Sequence, residues 1–496
     1  MGKSFFAGLL GCIVLSGAAA AAPAARLWET SKDLHPTMTR LADPVLSPIT
    51  AKEREGMFKD DRVTVDEGAR FQKVEGIGSS ISDASAWTLM QMDSATRDAV
   101  LRRTFAPEGG AGQSMVRIHI NSCDFSRKTY SCCDTPGDFA LKTFNVDYDR
   151  ECVIPVLKRI LAFRPDLKIV ASPWSAPAWM KTNGKMCGGG ELRRECRAVW
   201  AEFFCRFVEE YAKEGIPIWG VTVNNESYYE AKWEAMTWPE YAQRDFVRDH
   251  LGPAFARHGL GHVKIMLWDN GRNHVYANAA TTYDDAEASK YVWGAAYHWY
   301  GENCYDNVRI LHDAYPDKGL VMTEGCNGGN NYGDPEWGDA DKRDPNGLYL
   351  HEGVWEGGER YGRNMIRDFN NWAAGWIDWN LVVDQTGGPR HLPNGCGAPY
   401  VYDTAKRELR PQICREYMAH FHDFVRPGAV RLAVTTTRNM PIATAFANPG
   451  GSIVVVTQNE LGESVEFIYR FRRAGLQTKL TLPPRSIQTL LLDMPR

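Results

Sequence analysis

The sequence lacks the short patterns that mark phosphate-binding loops and common metal sites. Neither Gly-x-Gly-x-x-Gly nor Gly-x-x-x-x-Gly-Lys-Ser/Thr occurs, which argues against a doubly wound, nucleotide-binding sheet. There is also no Cys-x-x-Cys repeat and no His-Glu-x-x-His pair, the spacings typical of zinc sites. We therefore expect neither a cofactor nor a metal ion.

An excess of positive charge is also absent. The chain has 57 Lys and Arg against 61 Asp and Glu, a formal net charge of −4, so neither nucleic acid nor an anionic membrane is expected as its main partner. Aromatic residues, by contrast, make up 11% of the chain and include 16 Trp. Most of these Trp are expected in the core, but the excess suits a site that stacks the C–H faces of sugars.

The N-terminal apolar run is too short to span a bilayer. Residues 5–15 follow Lys3 and precede small residues at 18–22, the pattern of a cleaved signal peptide. We assign residues 1–25 to this signal and expect a secreted or periplasmic protein with no integral membrane segment after its removal. A lipoprotein signal ending at Cys12 is disfavoured, because apolar sequence continues past that cysteine.

Twelve cysteines fit an oxidising compartment. Cys187 and Cys196 flank a Gly-rich loop that a disulfide between them would close. Cys132 or Cys133 is a candidate partner for Cys152.

Two carboxylates follow strand-like segments. Residues 217–226 form a β-favouring apolar run that ends in Asn225 and Glu226, and residues 320–323 end in the same way at Glu324. Barrel enzymes keep their catalytic groups at the carboxyl ends of parallel strands, and a pair of carboxylates is the minimum equipment of a glycosidase.

These two segments belong to a longer series of eight strands. The strands alternate with helical patterns, including a 196–214 helix whose aromatic residues recur at i, i+3, i+4 and i+7. The predicted strands are 75–80, 114–120, 167–171, 217–226, 263–268, 294–297, 320–323 and 375–377. Eight such units over about 310 residues favour a (β/α)8 barrel over an open doubly wound sheet. We place this α/β barrel at residues 75–425.

The sequence changes character near Arg426. Residues 426–496 contain five short β-patterned segments separated by Gly, Pro and Asn turns, which predicts an antiparallel β-sandwich. Residues 26–60 read as polar and irregular, whereas 63–65 and 71–74 alternate like strands. We expect the 26–74 segment to contribute strands to the sandwich.

Seven motifs in order resemble glycoside hydrolase family 30, the glucosylceramidase and β-1,6-glucanase family. They are VEGIGSSISDA, MVRIHINSCDFS, ASPWSAPAWMKTNG, VTVNNES, AYHWYG, VMTEGC and GWIDWNLVVDQTGGP. The resemblance runs from Phe71 to the end of the chain. It departs from the family at Ser227, where a Pro often follows the acid/base.

The resemblance implies roles for individual residues. Glu226 matches the acid/base and Glu324 the nucleophile, while Asn225 matches the Asn that contacts the sugar 2-hydroxyl. Arg117 matches a barrel-floor Arg near the nucleophile, and His298 is expected to support the site through hydrogen bonds. The remaining expected sugar-binding residues are Asp124, Trp174, Trp179, Tyr300, Trp379 and Asn394.

The implied activity is that of a secreted, retaining β-glycosidase that works by double displacement on a carbohydrate or glycolipid. Glucosylceramide is the leading candidate substrate, because a long aromatic-rich segment between Gly325 and Arg363 is expected to narrow the pocket. The alternatives are an endo-β-1,6-glucanase or another family 30 β-glycanase or β-xylosidase. A catalytically inactive carbohydrate-binding protein is disfavoured, since both carboxylates are present.

Overall fold

A closed parallel barrel and a ten-stranded antiparallel-rich sheet organise the chain. The computed structural model describes residues 23–55, 60–107, 112–327, 354–392 and 396–494. Within these residues no helix is both long enough and apolar enough to cross a membrane.

Four strands precede the barrel. They are β1 (Ala24–Ser31), β2 (His35–Arg40), β3 (Ser47–Pro48) and β4 (Arg62–Lys73). The expectation of an irregular 26–60 segment is therefore wrong. In β1, alternate side chains such as Ala25 and Leu27 are buried because the strand pairs along its length with the last strand of the chain. Since β1 begins at Ala24, the strand overlaps the end of the predicted 1–25 signal, whose first 22 residues lie outside the described chain.

The barrel strands appear at the predicted places. They are β5 (Gly76–Ser80), β6 (Met115–Ile120), β7 (Lys168–Pro173), β8 (Gly220–Thr222), β9 (Lys264–Gly271), β10 (Val292–His298), β11 (Gly319–Glu324) and β12 (Gly375–Asn380). They close in the order β10-β11-β12-β5-β6-β7-β8-β9, with every neighbouring pair parallel. The predicted (β/α)8 architecture is confirmed.

Apolar side chains fill the barrel interior and leave its carboxyl end to polar groups. A buried layer inside the barrel contains Met115, Val170, Met266, Ala296, Val321 and Ile377. Strands approach closely around it: a Cβ at Gly78 would lie 1.8 Å from the Met115 carbonyl oxygen, so only glycine fits. This close-packed layer supports the polar residues that lie at the carboxyl ends of the strands.

The helices of the described chain are α1 (Ala51–Glu55), α2 (Asp83–Gln91), α3 (Ser94–Phe105), α4 (Val153–Leu161), α5 (Arg197–Lys213), α6 (Glu240–Phe246), α7 (Gly252–Arg257), α8 (Val275–Tyr283), α9 (Ala286–Ser289), α10 (Tyr305–Ala314), α11 (Trp355–Asn370) and α12 (Ile413–His422). Most of them lie between successive barrel strands in the sequence, whereas α1 contacts the sandwich, where Gln477 donates to Glu53. The predicted 196–214 helix is confirmed as α5, whose aromatic face is buried, and Gly215 follows it with φ +77°.

The strands β13 (Val382–Asp384), β14 (Tyr400–Asp403) and β15 (Glu408–Pro411) form a small sheet after β12. The chain ends in β16 (Val430–Thr436), β17 (Ile442–Ala447), β18 (Ile453–Asn459), β19 (Val465–Phe471), β20 (Leu476–Leu482) and β21 (Ser486–Asp493). These strands and β1–β4 share one sheet, in the order β2-β1-β21-β18-β17-β16-β4-β19-β20-β3.

The N-terminal strands are internal to this sheet. β4 lies between β16 and β19, with Val65 opposite Val434 on one side and Phe471 on the other. Val65 and Phe471 are fully buried in the sandwich core. Pairing of the 63–74 strand with the C-terminal strands, expected from the sequence, is observed.

We predict that a chain truncated after Arg426 is insoluble. The truncation removes both partners of β4 and one of the two partners of β1, and so exposes apolar faces that the sandwich buries. Soluble yield and thermal unfolding of the full-length and truncated chains would be measured side by side. A soluble truncated barrel with full activity would contradict the prediction.

Candidate active site

The carboxyl ends of five barrel strands bring one cluster of polar side chains together. Arg117 comes from β6, Asp269 from β9, His298 from β10 and Glu324 from β11. Glu226 follows β8 in the short turn that begins at Val223. Parallel strands end at the same rim, so residues that are distant in sequence meet there.

Arg117 lies at the centre of this cluster and is fully buried. Its Nη1 donates to Glu324 Oε2 at 2.5 Å, and its Nη2 donates to Asn225 Oδ1 at 2.7 Å and Asp269 Oδ2 at 2.8 Å. Its Nε donates to Ser172 Oγ at 3.0 Å. Because its acceptors belong to or follow four other strands, the guanidinium fixes the positions of those strands relative to β6.

Asp269 carries the negative charge that balances Arg117. It accepts hydrogen bonds from Thr222 at 2.6 Å, Thr323 at 2.6 Å and His298 Nε2 at 3.0 Å, besides the one from Arg117. Burial opposes ionisation of Asp269, but the Arg117 charge and the His298 hydrogen bond hold the pKa of this carboxyl well below its usual range. Asp269 is therefore a buried carboxylate.

His298 connects Asp269 to Glu226. Its Nδ1 lies 3.2 Å from Glu226 Oε1, and the ring is fully buried. Burial alone would lower the pKa of His298, but the charge of Glu324 and hydrogen bonds to Asp269 and Glu226 raise it to about 9. At neutral pH the ring is thus a cation that donates to both carboxylates.

Glu226 and Glu324 face each other across the barrel mouth. A carboxylate oxygen of each and a ring nitrogen of His298 all lie within 4.8 Å of one another. Glu324 also accepts a hydrogen bond from the Tyr300 hydroxyl at 3.0 Å, so both of its oxygens have donors. Burial raises the pKa of Glu324; the His298 and Arg117 charges oppose this effect, and the Glu226 charge adds to it.

The backbone around Glu226 is held in the left-handed region. Glu226 has φ +47°, and Trp268 and Asp269 on the neighbouring strand have φ +73° and +55°. The Glu226 amide donates to the Asp269 carbonyl at 2.8 Å, which joins the two irregular segments. Non-glycine residues in this conformation carry a cost of about 1–3 kcal/mol each and cluster at functional sites.

Two tryptophans line the cluster. The Trp174 and Trp379 rings are 5.2 Å apart at 30°, and the Arg117 guanidinium lies 4.7 Å from the first ring and 5.5 Å from the second. Phe125 packs edge-on against Trp379 at 5.9 Å. Both Trp side chains are 2% exposed, so they support the pocket wall more than they open into solvent.

The remaining residues predicted to bind sugar are Asp124, Trp179 and Asn394. Asp124 is buried four residues after the end of β6, and its charge adds to burial and to the Glu324 and Glu226 charges in raising the pKa of Tyr300. Trp179 is half-buried, and its indole nitrogen donates to the Cys133 carbonyl at 3.0 Å while its ring packs on Phe139. Asn394 lies outside the described residues.

The long segment after β11 differs from its sequence interpretation. Tyr332, Trp337 and Tyr349 lie outside the described residues, but α11 begins at Trp355, eight residues earlier than Arg363. Trp355 is buried and packs on Tyr417 of α12 at 5.9 Å. Its assignment to the pocket wall is wrong, because the helix turns it toward the neighbouring helix.

The disulfide predictions are also wrong. Cys187 and Cys196 are free, as are Cys132, Cys133 and Cys152. The bond that forms joins Cys326 to Cys396, two segments that the sequence separates by 70 residues. Cys187 lies opposite Glu234 in an isolated bridge, whereas Cys196 is buried at the start of α5, so the Gly-rich loop does not bring them together.

Sequence reasoning missed Asp269 as a site residue. It stands at the end of a barrel strand, as Glu226 and Glu324 do, and that position was the available signal. Its partners Thr222 and Thr323 precede the two glutamates by four residues and one residue, respectively. Nothing in their residue type distinguishes them from ordinary strand residues.

A closed (β/α)8 barrel with two carboxylates this close at its carboxyl rim defines a glycoside hydrolase. Residues 74–425 match the glycosyl hydrolase family 30 TIM-barrel domain, and residues 428–490 match the family's beta sandwich domain. The chain belongs to glycosyl hydrolase family 30, as the sequence motifs indicated.

Relatives with different named activities are similar to this chain. Lysosomal acid glucosylceramidase of Mus musculus is 31% identical over 418 residues, which cover 81% of this chain and 78% of that protein. The structure of SrfJ from Salmonella typhimurium superposes with a TM-score of 0.85 at 28% identity, covering 95% of this chain and 99% of the other. The endo-beta1,6-glucanase BT3312 gives a TM-score of 0.80 at 28% identity, with coverages of 94% and 99%.

We predict that Asp269→Asn lowers the pKa of His298. The substitution removes the buried anion that accepts from His298 Nε2, and an adjacent opposite charge is worth about 1 to 3 pH units. Histidine titration by NMR would measure the change. The matched internal control is His258, which is bonded to Glu202 and Glu209 elsewhere and should keep its midpoint. An unchanged His298 midpoint would contradict this account of the site.

Proposed function

We propose that the protein is a retaining β-glycosidase that uses Glu324 as nucleophile and Glu226 as acid/base. The observation that carries the proposal is the separation of the two carboxylates. Retaining enzymes place the two groups about 5–5.5 Å apart, whereas inverting enzymes need about 6.5–9.5 Å to admit a water between them. Oxygens within 4.8 Å of each other fit the shorter spacing.

Glu324 is suited to attack because its carboxylate is oriented at both oxygens. Arg117 donates to Oε2 and Tyr300 to Oε1, and both hydrogen bonds stabilise the ionised form that attack requires. The proton that the leaving group needs is therefore assigned to Glu226.

Glu226 is suited to transfer that proton. Its side chain is 18% exposed, against 8% for Glu324, so it is the more accessible of the two carboxyl groups to a leaving group and to water. In the first step it protonates the glycosidic oxygen as Glu324 forms the glycosyl ester. In the second step it removes a proton from the incoming water, and the ester is hydrolysed with retention.

The neighbouring groups bind the sugar. Asn225 Oδ1 is engaged by Arg117, which leaves its NH2 group to donate to a hydroxyl of the sugar. The Trp174 and Trp379 wall offers an apolar surface to the sugar ring, and Asp124 is placed to accept from hydroxyl groups. We propose Asn225, Asp124, Tyr300 and the two Trp as sugar-binding residues.

We propose a terminal β-glucoside, with glucosylceramide as the leading candidate. The support is the 31% identity to a glucosylceramidase over four fifths of the chain, together with exposed aromatic side chains beside the acid/base. Tyr228 and Tyr229 are 43% and 52% exposed within three residues of Glu226, so they offer apolar surface to a leaving group. An endo-β-1,6-glucanase is the second candidate, because such an enzyme shares the fold at nearly the same identity. We further propose that the protein acts after export, as residues 1–25 suggest.

We predict that Glu324→Gln abolishes turnover of every substrate, because the amide cannot form the glycosyl ester. Glu226→Ala should lower kcat/KM by about 10²–10⁴-fold for substrates with poor leaving groups and much less for activated aryl glucosides, which need no proton. Initial rates on a series of aryl β-glucosides would measure both effects. Added azide should restore Glu226→Ala turnover and give a β-glucosyl azide.

The matched control is Glu230→Ala. Glu230 lies in the same loop as Glu226 but is exposed, so its removal should leave the leaving-group dependence unchanged. Equal losses for all leaving groups in Glu226→Ala would contradict the acid/base assignment. A product of inverted configuration in the wild-type reaction would contradict the mechanism as a whole.

We predict that product analysis will separate the substrate candidates. Purified protein given glucosylceramide in detergent should release glucose and ceramide, and given β-1,6-glucan should produce no ladder of oligosaccharides. Glu324→Gln under the same conditions controls for contaminating hydrolases. A ladder from β-1,6-glucan with glucosylceramide untouched would overturn the substrate choice and leave the retaining mechanism in place.

A further inference from the structure

A second cluster of ionisable side chains lies where three barrel loops meet. Cys187 is in the loop after β7, Glu234 in the loop after β8, and His391 in the loop after β13. One sulfur, one carboxylate oxygen and one ring nitrogen from these residues all lie within 4.8 Å of one another. Glu234 is 1% exposed, and the other two residues are half-buried. None of the three belongs to the catalytic cluster.

Two atoms of this cluster form an ion-pair contact. Glu234 Oε2 and His391 Nε2 lie 3.2 Å apart, the distance of an ion pair when the His391 ring is protonated. Apart from each other, neither atom has a hydrogen-bonding partner within the described chain. A proton on Nε2 therefore occupies the place that a metal cation would take, and metal binding would release that proton.

The outer atoms of the same side chains are fixed by hydrogen bonds. His391 Nδ1 lies 2.9 Å from the Ser126 carbonyl oxygen, which can only accept, so Nδ1 carries a hydrogen and Nε2 is the ring atom left to bind a metal once its proton is released. Ser122 Oγ donates to Glu234 Oε1 at 2.6 Å, which leaves Oε2 for the cluster. Metal-binding His and carboxylate side chains are characteristically oriented in this way by their second atoms.

The backbone holds Cys187 against Glu234. The two residues are partners in an isolated antiparallel bridge, and the Gly188 amide donates to the Ala231 carbonyl at 2.9 Å. The following turn, Gly188–Gly190, has φ values of +76°, +68° and +83°, which glycine adopts without strain. The thiol is thus presented to the cluster by a turn that can adjust.

We propose that Cys187, Glu234 and His391 bind one zinc-class divalent cation, with water in the fourth position. Thiolate sulfur, imidazole nitrogen and carboxylate oxygen are the three ligand types of zinc, at about 2.0–2.3 Å from the metal. Tetrahedral ligands at those lengths lie about 3.3–3.8 Å apart, so only a small closure of the present arrangement is needed. A hard ion such as Mg²⁺ is disfavoured by the thiolate.

A superficially similar group shows what a plain ion-pair cluster looks like. Glu202, Cys205 and His258 also lie within 4.8 Å of one another. There, both ring nitrogens of His258 are bonded to carboxylates at 2.7 Å, and Arg257 occupies Glu202 at 2.6 Å. In that group both ring nitrogens are committed to carboxylates, whereas His391 directs only Nε2 at a carboxylate and holds Nδ1 on a backbone carbonyl.

Metal at the Cys187 cluster would tie three loops of the pocket rim together. Ser122, which holds Glu234, is two residues from Asp124, and Trp233 packs against the apolar group that contains Trp174 and Trp379. The cation would therefore act as a clamp on the loops that carry the sugar-binding residues, with no part in the bond-breaking steps.

Full-length protein stripped with a chelator would be titrated with Co²⁺ and Zn²⁺. We expect one Co²⁺ per chain with a near-ultraviolet thiolate-to-metal charge-transfer band, its displacement by Zn²⁺, and a higher Tm with Zn²⁺ than without. Cys187→Ser should remove the band and weaken Zn²⁺ binding by at least about 10–100-fold. His391→Gln provides a second test of the same site should Cys187→Ser fail to fold, with melting of the metal-free variants as the check on folding.

Cys304→Ser and Cys205→Ser are the matched controls. Cys304 is a half-buried free thiol outside every candidate metal group of the described chain, and Cys205 belongs to the ion-pair group described above. Both variants should keep the band, the stoichiometry and the Tm increase. Absence of the band in the wild type, its survival in Cys187→Ser, or its loss in Cys205→Ser would overturn the proposal.

Discussion

The ion pair between Arg117 and Asp269 is the interaction on which the site depends. Both side chains are fully buried, and their nearest atoms are 2.8 Å apart. Removing one partner of a buried pair of this kind costs about 3–5 kcal/mol, because the other charge is left in a medium that solvates it poorly. Glu324 and His298 are bonded directly to one member of this pair, and Tyr300 and Glu226 are bonded to those two residues.

This dependence explains how two identical carboxyl groups come to differ. Glu324 is bonded directly to the arginine, whereas Glu226 is connected to the aspartate through His298. Glu324 is thus bonded to a permanent cation, whereas Glu226 is bonded to a ring whose charge can change. The Glu226 backbone amide donates to the Asp269 carbonyl as well, so the strand that carries Asp269 fixes the position of Glu226 and also the charge of the neighbouring His298.

Much of this arrangement could be predicted from the sequence, since it follows from strand ends. All eight barrel strands were placed by their apolar runs, and Glu226 and Glu324 met because parallel strands end at one rim. The role of Asp269 was not predicted because it depends on which side chains face Asp269 inside the barrel. Sequence periodicity does not reveal those neighbours. The Cys326–Cys396 bond and the Cys187 cluster escaped for a related reason: loop conformation, and not spacing along the chain, decides which residues meet.

The position of β1 has a consequence for how the protein is made. Arg26 of β1 is bonded to Asp493 of the last strand, 467 residues later, and β1 separates β2 from that strand in the sheet. β1 and β2 can pair with each other early, but the other edge of β1 has no partner until the last strand of the chain is made. During that interval this edge is open to other chains, so the nascent N-terminal pair of strands needs protection from aggregation.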